Sequence, residues 1–365
     1  MNQNLQEFYF TWPATSTIWL IAGACVLGWI FAFVPTAVFL SLEWRKRFSD
    51  IICRFSESAI KLYYRRYLAS EANTAGNNLT ESFQKQMQSR YGGQRFFLPL
   101  FLLILISGIA IALVDISVLS WLGLAPNLTA IPPIAVSAIL GAYLWSVSDQ
   151  IARFGTFDLS PNDVRSWCFR FLIAVPTGYC LAMTVKDDVG IPLAFFLGTF
   201  PTNTVASFGR RFVAKKLDIA DQPASEKAEL ELIQGINTPE AERFKESGIT
   251  TILQLAYIDP IDMTLRTNYG FDYILDCMSQ ALLWVYLDKS IDIGKLRVLG
   301  LRGAYEAIGL YRLLNSTVDD EKQVGQKNLG EIAKVLEVDE IAFKKTLLEV
   351  ATDPYSVFIY EVFNS

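Results

Sequence analysis

Long apolar runs are confined to residues 1–217 of the chain, whereas residues 218–365 mix apolar and polar positions as soluble proteins do. A helix that crosses a bilayer needs about 20 mostly apolar residues. Five runs meet or approach that length, and the candidate spans are residues 18–40, 96–114, 133–151, 167–185 and 191–208. The last two are shorter and interrupted by prolines, so they predict either two full spans or a re-entrant hairpin.

The second part of the chain predicts a helical domain. Residues 218–229 are polar and predict a linker. Over residues 273–287, apolar side chains recur every three or four positions, which is typical of a buried amphipathic helix. The sequence has no strand-like alternation of useful length. We therefore predict an all-α fold, with a polytopic α-helical membrane domain over 1–217 and an α-helical domain over 230–365.

The distribution of basic residues predicts the orientation of the chain. The loop 41–95 carries ten Lys and Arg residues against five acidic ones, while residues 1–17 and 115–130 carry no Lys or Arg. Because basic loops stay in the cytoplasm, we predict the N-terminus outside, and the 41–95 loop and the C-terminal domain inside.

The basic loop also has an apolar face. Its apolar residues recur at helical spacing, and they are Phe48, Ile51, Ile52, Phe55, Ile60 and Leu62. This pattern predicts an amphipathic helix that either lies on anionic lipid or packs on a partner helix.

The composition excludes several kinds of chemistry. The chain has no histidine, which excludes an imidazole base or a histidine zinc ligand. Its five cysteines are dispersed, which argues against a disulfide framework or a cysteine metal site. Neither a phosphate-binding glycine loop nor a nucleophile elbow occurs in the sequence. We predict a protein that is not an enzyme, with no metal or cofactor. Four acidic residues are predicted to be helix caps and loop charges, namely Asp259, Asp262, Asp319 and Asp320.

Hydroxyl and amide side chains form polar stripes in the last two apolar runs. One set is Thr177 and Thr184, a heptad apart, and the other is Thr199, Thr202, Asn203 and Ser207. A polar stripe in lipid must face protein or water. The stripes therefore predict the lining of a pore or, alternatively, hydrogen bonds between packed helices.

Other polar and small residues of the apolar runs bear on packing and transport. Ser137 and Gly141 have the spacing that permits close contact between helices. Asp149 and Arg170 are predicted to pair near the cytoplasmic ends of their spans. None of the runs has a charge at its centre, which disfavours an ion-coupled transporter.

The stretch LIQGINTPEAERFKESGIT, residues 232–250, has the signals of two tight turns around a short helix. Gly235 marks the first turn, Asn237 or Thr238 is positioned to cap the helix, and Gly248 to end it. The predicted interior residues are Leu232 or Ile233, Ala241, Phe244, Ile249 and Leu255.

This stretch resembles the helix-hairpin-helix fold, in which amide groups at a helix N-terminus bind a phosphate. Here Asn237 stands in place of the second hairpin glycine. Nearby glutamates, Glu240 among them, add negative charge. We therefore predict that Gly235, Asn237 and Gly248 form a framework copy of the hairpin that does not itself hold phosphate.

A second, more basic stretch follows at residues 293–314. Glycines for a turn are joined there by basic and aromatic residues: Lys295, Arg297, Gly300, Arg302, Gly303, Tyr305 and Arg312. Backbone amides, guanidinium groups and aromatic rings together suit a nucleotide or a short DNA oligomer. The alternative is a basic helix face that is simply solvated.

The combination of a polytopic membrane region and a helix-hairpin-helix-like cytosolic domain resembles the membrane-channel effectors of bacterial antiphage defence, and within them the Hailong-type effector subunit. The resemblance implies a homotetrameric ion channel in the inner membrane. It also implies that the helical domain binds a DNA oligomer made by a partner nucleotidyltransferase, and that the bound oligomer keeps the channel inactive.

Two other classes of function remain open at this point. One is a membrane-anchored scaffold that docks a protein partner through apolar residues such as Trp284 or Tyr286. The other is a transporter with a regulatory tail. A ligand-binding domain should instead depend on Arg297 and Arg302.

Overall fold

The structure is a computed structural model that describes residues 23, 26–28, 30, 34–68, 79–121, 123, 131–200, 229–287, 291 and 293–364. Within those ranges the regular elements are helical and no strand occurs, which confirms the all-α prediction. Contacts divide the chain into a first unit, Met1–Glu43 with Gly93–Gln222, and a second unit, Trp44–Gly92 with Pro223–Ser365.

The α-helices fall into both units. The segment Trp44–Gly92 of the second unit contains α1 (Arg45–Ile52), α2 (Glu57–Tyr67) and α3 (Leu79–Tyr91). The first unit contains α4 (Phe97–Trp121), α5 (Pro133–Gly155), α6 (Pro161–Thr184) and α7 (Asp187–Thr199). The C-terminal helices are α8 (Thr238–Glu246), α9 (Ile252–Ala256), α10 (Pro260–Arg266), α11 (Phe271–Tyr286), α12 (Ile293–Val298), α13 (Ala304–Leu314), α14 (Asp319–Leu336), α15 (Glu340–Thr352) and α16 (Pro354–Phe363). A π-helical turn, Leu40–Trp44, precedes α1, and a 3₁₀ turn, Gly93–Phe96, precedes α4.

Among the described residues, three helical segments are long and apolar enough to cross a membrane: Leu79–Trp121, Pro133–Gly155 and Pro161–Thr184. Their apolar parts correspond to the second, third and fourth predicted runs. Of the first run, 18–40, the structure describes residues 23, 26–28, 30 and 34–40. Of the fifth run, 191–208, the structure describes residues up to 200, where the short helix α7 has ended.

Helices α5 and α7 approach each other closely because glycines face each other across the contact. A Cβ atom placed on Gly141 would lie 2.3 Å from the carbonyl oxygen of Phe195, and one on Gly198 would lie 2.8 Å from the Cα of Gly141. Ser137 adds a hydrogen bond from its hydroxyl to the carbonyl of Ile191, at 2.7 Å. The close helix contact predicted from Ser137 and Gly141 is confirmed.

The predicted pair between Asp149 and Arg170 is wrong. Asp149 accepts from Arg153 one turn later, at 2.9 Å, and from the indole of Trp167, at 2.7 Å. Arg170 is buried and donates to the last carbonyls of α7, including that of Gly198 at 2.7 Å. The carbonyls at a helix C-terminus lack partners inside the helix, so a buried guanidinium that caps them is already satisfied.

The segment between residues 44 and 92 shares a core with the C-terminal helices. The ring of Phe55 lies 5.4 Å from that of Phe83, 5.6 Å from Phe271 and 6.1 Å from Phe358. The apolar face of this basic segment is thus covered by helices of its own chain, which corresponds to the helix-packing alternative of the sequence analysis. The sequence-based division had placed residues 41–95 with the membrane domain, whereas the contacts group Trp44–Gly92 with the C-terminal residues.

One carboxylate joins the two parts of this unit. Oδ2 of Asp259 accepts the hydroxyls of Tyr63 on α2, at 2.7 Å, and Tyr91 on α3, at 2.5 Å. Its Oδ1 accepts the amide of Ile261 at 3.0 Å and so caps α10, as the sequence predicted. Burial, together with the charge of Asp259, raises the pKa of both tyrosines, which therefore remain hydrogen-bond donors.

Removal of the Asp259 carboxylate should destabilise the second unit more than removal of an exposed carboxylate does. Asp259→Ala leaves two partly buried hydroxyls without an acceptor, so we expect it to lower the free energy of unfolding by about 3 kcal/mol. Urea unfolding of the detergent-solubilised protein, followed by near-UV circular dichroism, measures this loss. The matched control is Asp272→Ala, which breaks an ion pair with Arg54 whose side chains are 52% and 66% exposed and should cost under about 1 kcal/mol. Equal losses in both variants would contradict the assignment.

The close glycine contact between α5 and α7 predicts that a larger residue at Gly141 lowers thermal stability. Gly141→Ala places a methyl group against the carbonyl of Phe195 and should lower Tm, by about 2–4 °C for each kcal/mol lost. In Gly155→Ala no atom lies within 4 Å of the new Cβ, so Tm should be unchanged or slightly higher. A thermal scan in detergent compares the two, and an unchanged Tm for Gly141→Ala would refute the close contact.

Candidate functional site

Three glycines in the second unit have left-handed backbone conformations that strongly favour glycine. Their φ angles are +91° at Gly235, +91° at Gly248 and +82° at Gly300. At Gly248, the following amide, of Ile249, donates 2.9 Å back to the carbonyl of Phe244. At Gly300 the amide of Leu301 makes the equivalent bond to Leu296, at 3.0 Å. These two turns are therefore the same helix-ending motif.

The helices that follow these turns also begin in the same way. Thr251 and Gly303, each three residues after its turn glycine, are the N-caps of α9 and α13. The turn at Gly235 is one residue shorter, because Asn237 already caps α8. The basic stretch at Gly300 thus repeats the turn at Gly248 more closely than the one at Gly235, with which the sequence analysis had compared it.

The amides at two of these helix N-termini are occupied by glutamates of their own helices. The amide of Asn237 donates to Glu240 Oε2 at 3.0 Å, and the amide of Gly303 donates to Glu306 Oε2 at 2.8 Å. A phosphate at either position would have to displace a carboxylate that is already in place. For Asn237 this agrees with the framework role inferred from the sequence, whereas Glu306 was not considered there.

Gly303, predicted as a ligand residue, has a clear packing role. A Cβ atom at this position would lie 2.5 Å from the hydroxyl oxygen of Ser279 on α11. That hydroxyl accepts the amide of Tyr305 at 3.0 Å. The glycine therefore permits α13 to begin directly against α11.

The structure brings together two of the predicted cationic residues, Arg297 and Arg302. Arg302 forms an ion pair with Asp276 on α11, and Gln280 donates to the same carboxylate at 3.0 Å. Arg297 donates 2.9 Å to the carbonyl of Leu232, beside the Gly235 turn. The Nε atoms of both arginines are buried and have no hydrogen-bond partner among the described residues. Asp276 pairs with Arg302, whereas Arg297 has no ion pair among the described residues and, of the acidic residues, is influenced by the charge of Asp276 alone.

The pKa values of Arg297 and Asp276 are shifted by burial in this cluster. Burial, and next the charge of Arg302, lowers the pKa of Arg297. Burial raises the pKa of Asp276, although Arg302 opposes that shift. Desolvation therefore disfavours the charged forms of Arg297 and Asp276.

Two other predicted ligand residues, Tyr305 and Arg312 of α13, form a separate cluster against α16. Tyr305 stacks on Tyr360 with ring centroids 5.2 Å apart, and the guanidinium of Arg312 lies 4.0 Å from the centroid of that same ring. Arg312 also lies 4.0 Å from a carboxylate oxygen of Glu361. Lys295 is exposed on α12. The predicted set is therefore not one site: two clusters hold four of its residues, and Lys295 belongs to neither. The sequence analysis missed the acidic and aromatic members of these clusters, Asp276 and Tyr360, because they come from distant helices.

The described members of the predicted pore lining lie on α6 and α7. Thr184 and Thr199 each donate to a carbonyl of their own helix, namely Cys180 at 3.0 Å and Phe196 at 2.8 Å. Their oxygen lone pairs remain available as acceptors. Thr177 is half-buried on α6. The remaining predicted lining residues lie outside the described residues, and they are Thr202, Asn203 and Ser207.

No protein family model, curated protein or solved structure matches this chain. In the part of the chain that the structure describes, no group of three or more Cys, Asp or Glu residues is arranged to hold a metal ion. The candidate site therefore consists of the arginine cluster at Asp276 and the neighbouring glycine turns.

If the arginine cluster binds anions, Asp276 competes with the ligand. Asp276→Asn removes one negative charge and should tighten the binding of a single-stranded DNA oligomer by about threefold to tenfold, or about 0.7–1.4 kcal/mol. Fluorescence anisotropy with a labelled oligomer measures the change. Asp320→Asn, which makes the same charge change at an exposed position of α14, is the control. If the arginine cluster does not bind the oligomer, Asp276→Asn and Asp320→Asn should have the same affinity for it.

Proposed function

We propose that this protein is a membrane ion channel or pore controlled by a nucleotide or DNA oligomer, which binds to a cytosolic helical domain formed by the second unit. The observation that carries the proposal is the composition of that unit. It combines the C-terminal helices with the segment Trp44–Gly92, which lies in the sequence between the first two apolar runs.

Because of this composition, the peptide chain connects the second unit, where the ligand would bind, directly to the candidate membrane-spanning helices. Helix α1 directly follows the π-helical turn after the first apolar run, and α3 is followed by the 3₁₀ turn that leads into α4. The two ends of the inserted segment therefore connect to different candidate spans. A ligand that shifts the C-terminal helices acts on both connections, because Asp259 and the aromatic core hold α2 and α3 to those helices.

The chemistry of the ligand follows from the glycine turns and the arginine cluster. We propose that the turns at Gly235, Gly248 and Gly300 form a helix-hairpin-helix domain, with Arg297 and Arg302 as its anion-binding residues. Guanidinium groups bind phosphate oxygens in two-pronged geometry, and their excess over Asp276 favours a polyanion. A DNA oligomer made by a partner nucleotidyltransferase fits this requirement.

The pore would be formed between copies of the chain in a homo-oligomer, a tetramer by the resemblance. We propose that the polar stripes of α6 and of the fifth apolar run face that pore, where the exposed lone pairs of Thr184 and Thr199 replace part of an ion's hydration shell. Bound oligomer keeps the pore closed in the bacterial inner membrane, and its loss opens the pore during antiphage defence.

One observation favours a second candidate, a membrane-anchored scaffold. Several large apolar side chains of the second unit are exposed, with Val298 at 88%, Ile341 at 69% and Leu253 at 56%. Contiguous exposed apolar patches mark protein interfaces, so a scaffold requires its partner to contact these residues of three different helices. A scaffold would depend on these residues, and substitution of Arg297 and Arg302 would leave its binding unchanged.

The channel proposal is tested with the purified full-length protein in liposomes that carry a potassium gradient. We expect ion flux without ligand and suppression of that flux by a single-stranded DNA oligomer added on the side of the second unit. The suppression should be weakened in Arg297→Glu/Arg302→Glu, because both guanidinium groups become repulsive to phosphate.

The control is Lys344→Glu/Lys345→Glu, which makes the same change in charge at exposed positions of α15. It should behave like the natural protein. Liposomes that show no flux in either the presence or the absence of oligomer would reject the channel and leave the scaffold as the better account.

A further inference from the structure

The end of the first apolar run and α1 form one continuous helix, whose exposed face changes from apolar to basic. Residues 34–39 are helical, the π-helical turn Leu40–Trp44 follows them, and α1 begins at Arg45. Exposed apolar side chains recur every four positions along this helix, and they are Val34, Val38 and Leu42. Three and four positions after Leu42, on the neighbouring part of the same face, Arg45 and Lys46 are exposed. The apolar stripe thus ends in two cations.

Neither of these cations is neutralised by a described neighbour. Arg45 and Lys46 make no ion pair and no side-chain hydrogen bond with another described residue. Asp50, one turn after Lys46, is exposed as well and forms no ion pair with it. The stretch 41–56 carries four basic residues against two acidic ones, so its net charge is positive. Both cations can therefore bind an external anion without displacing an internal partner.

The other two basic residues of this stretch hold α1 to the C-terminal helices. Arg47 donates 2.8 Å to the carbonyl of Thr267, at the end of α10. Arg54 pairs with Asp272 of α11 at 2.7 Å. These contacts and the buried apolar face of α1 fix the orientation of the helix. Its two free cations consequently lie on the exposed side.

The same change of surface occurs where the chain enters α4. Arg95 is exposed in the 3₁₀ turn that precedes this helix. An exposed apolar stripe begins three positions later, and its members are Leu98, Phe101, Leu105 and Ile109. At both ends of the inserted segment, an exposed basic residue therefore adjoins an exposed apolar stripe of a candidate span.

An apolar stripe bordered by cations suits the boundary between hydrocarbon and water. Each lysine or arginine close to an anionic lipid surface strengthens binding about fivefold. A phospholipid offers both an acyl chain for the stripe and a phosphate for the cations, whereas a nucleic acid offers only the charge. Helix α1 itself does not lie on the membrane, because its apolar face is covered by its own chain.

We infer that Arg45 and Lys46 bind the phosphate groups of anionic phospholipids, whose acyl chains lie along Val34, Val38 and Leu42. The ligand is recognised by its position and charge, and the same two side chains would bind any headgroup with a phosphodiester and no compensating cation. This inference requires that the first apolar run is inserted in a bilayer. It requires neither channel activity nor an oligonucleotide ligand.

Bound headgroups would act on the second unit through α1. The indole of Trp44, next to Arg45, donates 3.0 Å to the carbonyl of Tyr91 at the end of α3, and both aromatic side chains are buried. Arg47 connects the same helix to α10. A lipid bound to α1 therefore holds a helix that contacts two others of this unit. A ligand that binds only the folded state raises stability, so anionic lipid should stabilise the protein.

The test measures lipid binding by the full-length protein in a neutral detergent. Phosphatidylglycerol or phosphatidylcholine with identical acyl chains is titrated, and native mass spectrometry gives the fraction of protein that retains lipid. The natural protein should bind phosphatidylglycerol more tightly. Arg45→Gln/Lys46→Gln should weaken the binding of phosphatidylglycerol by about tenfold to thirtyfold and leave that of phosphatidylcholine unchanged. The matched control, Lys344→Gln/Lys345→Gln on the exposed side of α15, should bind both lipids as the natural protein does.

Thermal unfolding separates lipid binding from folding and identifies the source of the phosphate. Phosphatidylglycerol should raise Tm more than phosphatidylcholine does, and this difference should disappear in Arg45→Gln/Lys46→Gln. Without lipid, the variant should keep the natural Tm, because both side chains are exposed and unpaired. Inorganic phosphate at the same concentration should not reproduce the rise, since it has no acyl chain to contact the apolar stripe.

Several results would overturn the inference. Equal affinity of the natural protein for the two lipids would reject an anionic lipid ligand. A preference for phosphatidylglycerol that survives in Arg45→Gln/Lys46→Gln, or that is lost equally in the lysine control, would reject the site. Equal stabilisation by inorganic phosphate would indicate a soluble anion as the ligand. A lower Tm of the variant without lipid would assign these side chains a structural role. Failure of the flux or oligomer experiments would reject the proposed function alone.

Discussion

The second unit depends on the carboxylate of Asp259. It accepts hydrogen bonds from Tyr63 and Tyr91, which lie on two helices of the inserted segment, and it caps α10 with its other oxygen. These residues are far apart in the sequence, and an aromatic core around Phe55 closes over the same junction. A partly buried acceptor with several donors is costly to disrupt, because each donor would lose its partner without regaining water. This junction turns two chain segments into one domain.

The positive charges of this domain fall into two classes. Arg302 and Arg312 lie beside carboxylates, and Arg54 forms an exposed ion pair with Asp272. By contrast, Lys61 and Arg65 have no such partner in the described parts of the chain. Only the second class is fully available to a polyanion, since a ligand need not first displace an internal carboxylate. The distinction explains why a basic stretch in the sequence does not by itself locate a binding site.

The first unit is organised by a different constraint, the close approach of helix backbones. Gly141 and Gly198 allow α5 and α7 to touch, and a guanidinium from α6, that of Arg170, caps the end of α7. In surroundings that offer little water, small residues and internally satisfied polar groups hold helices together. Arg170 therefore contributes to the architecture of the unit, and its apparent partner in sequence, Asp149, is neutralised by Arg153 and Trp167.

Sequence patterns alone predict the helical class, three of the candidate spans, and the turns at Gly235, Gly248 and Gly300. They also predict the interior positions Ala241, Phe244 and Ile249, which are all buried. These features depend on local periodicity and backbone preference, and both can be recognised within one short stretch of sequence. Of the two alternatives for the first interior position, Ile233 is buried and Leu232 is 47% exposed.

Which charges are paired, and which helices share a core, depends on contacts between distant parts of the chain. Patterns along the sequence do not predict three of the contacts found here. These are the ion pair of Arg302 with Asp276, the glutamates at the helix N-termini, and the packing of α2 on α16. Arg297 and Arg302 look alike in the sequence to Lys61 and Arg65, because each set is a pair of basic residues four or five positions apart, although Arg302 lies in the turn after α12. They differ in the folded chain, where Asp276 comes within reach of the first set and not the second. The electrostatic character of a side chain depends on its neighbours in space, and long-range packing brings those neighbours together.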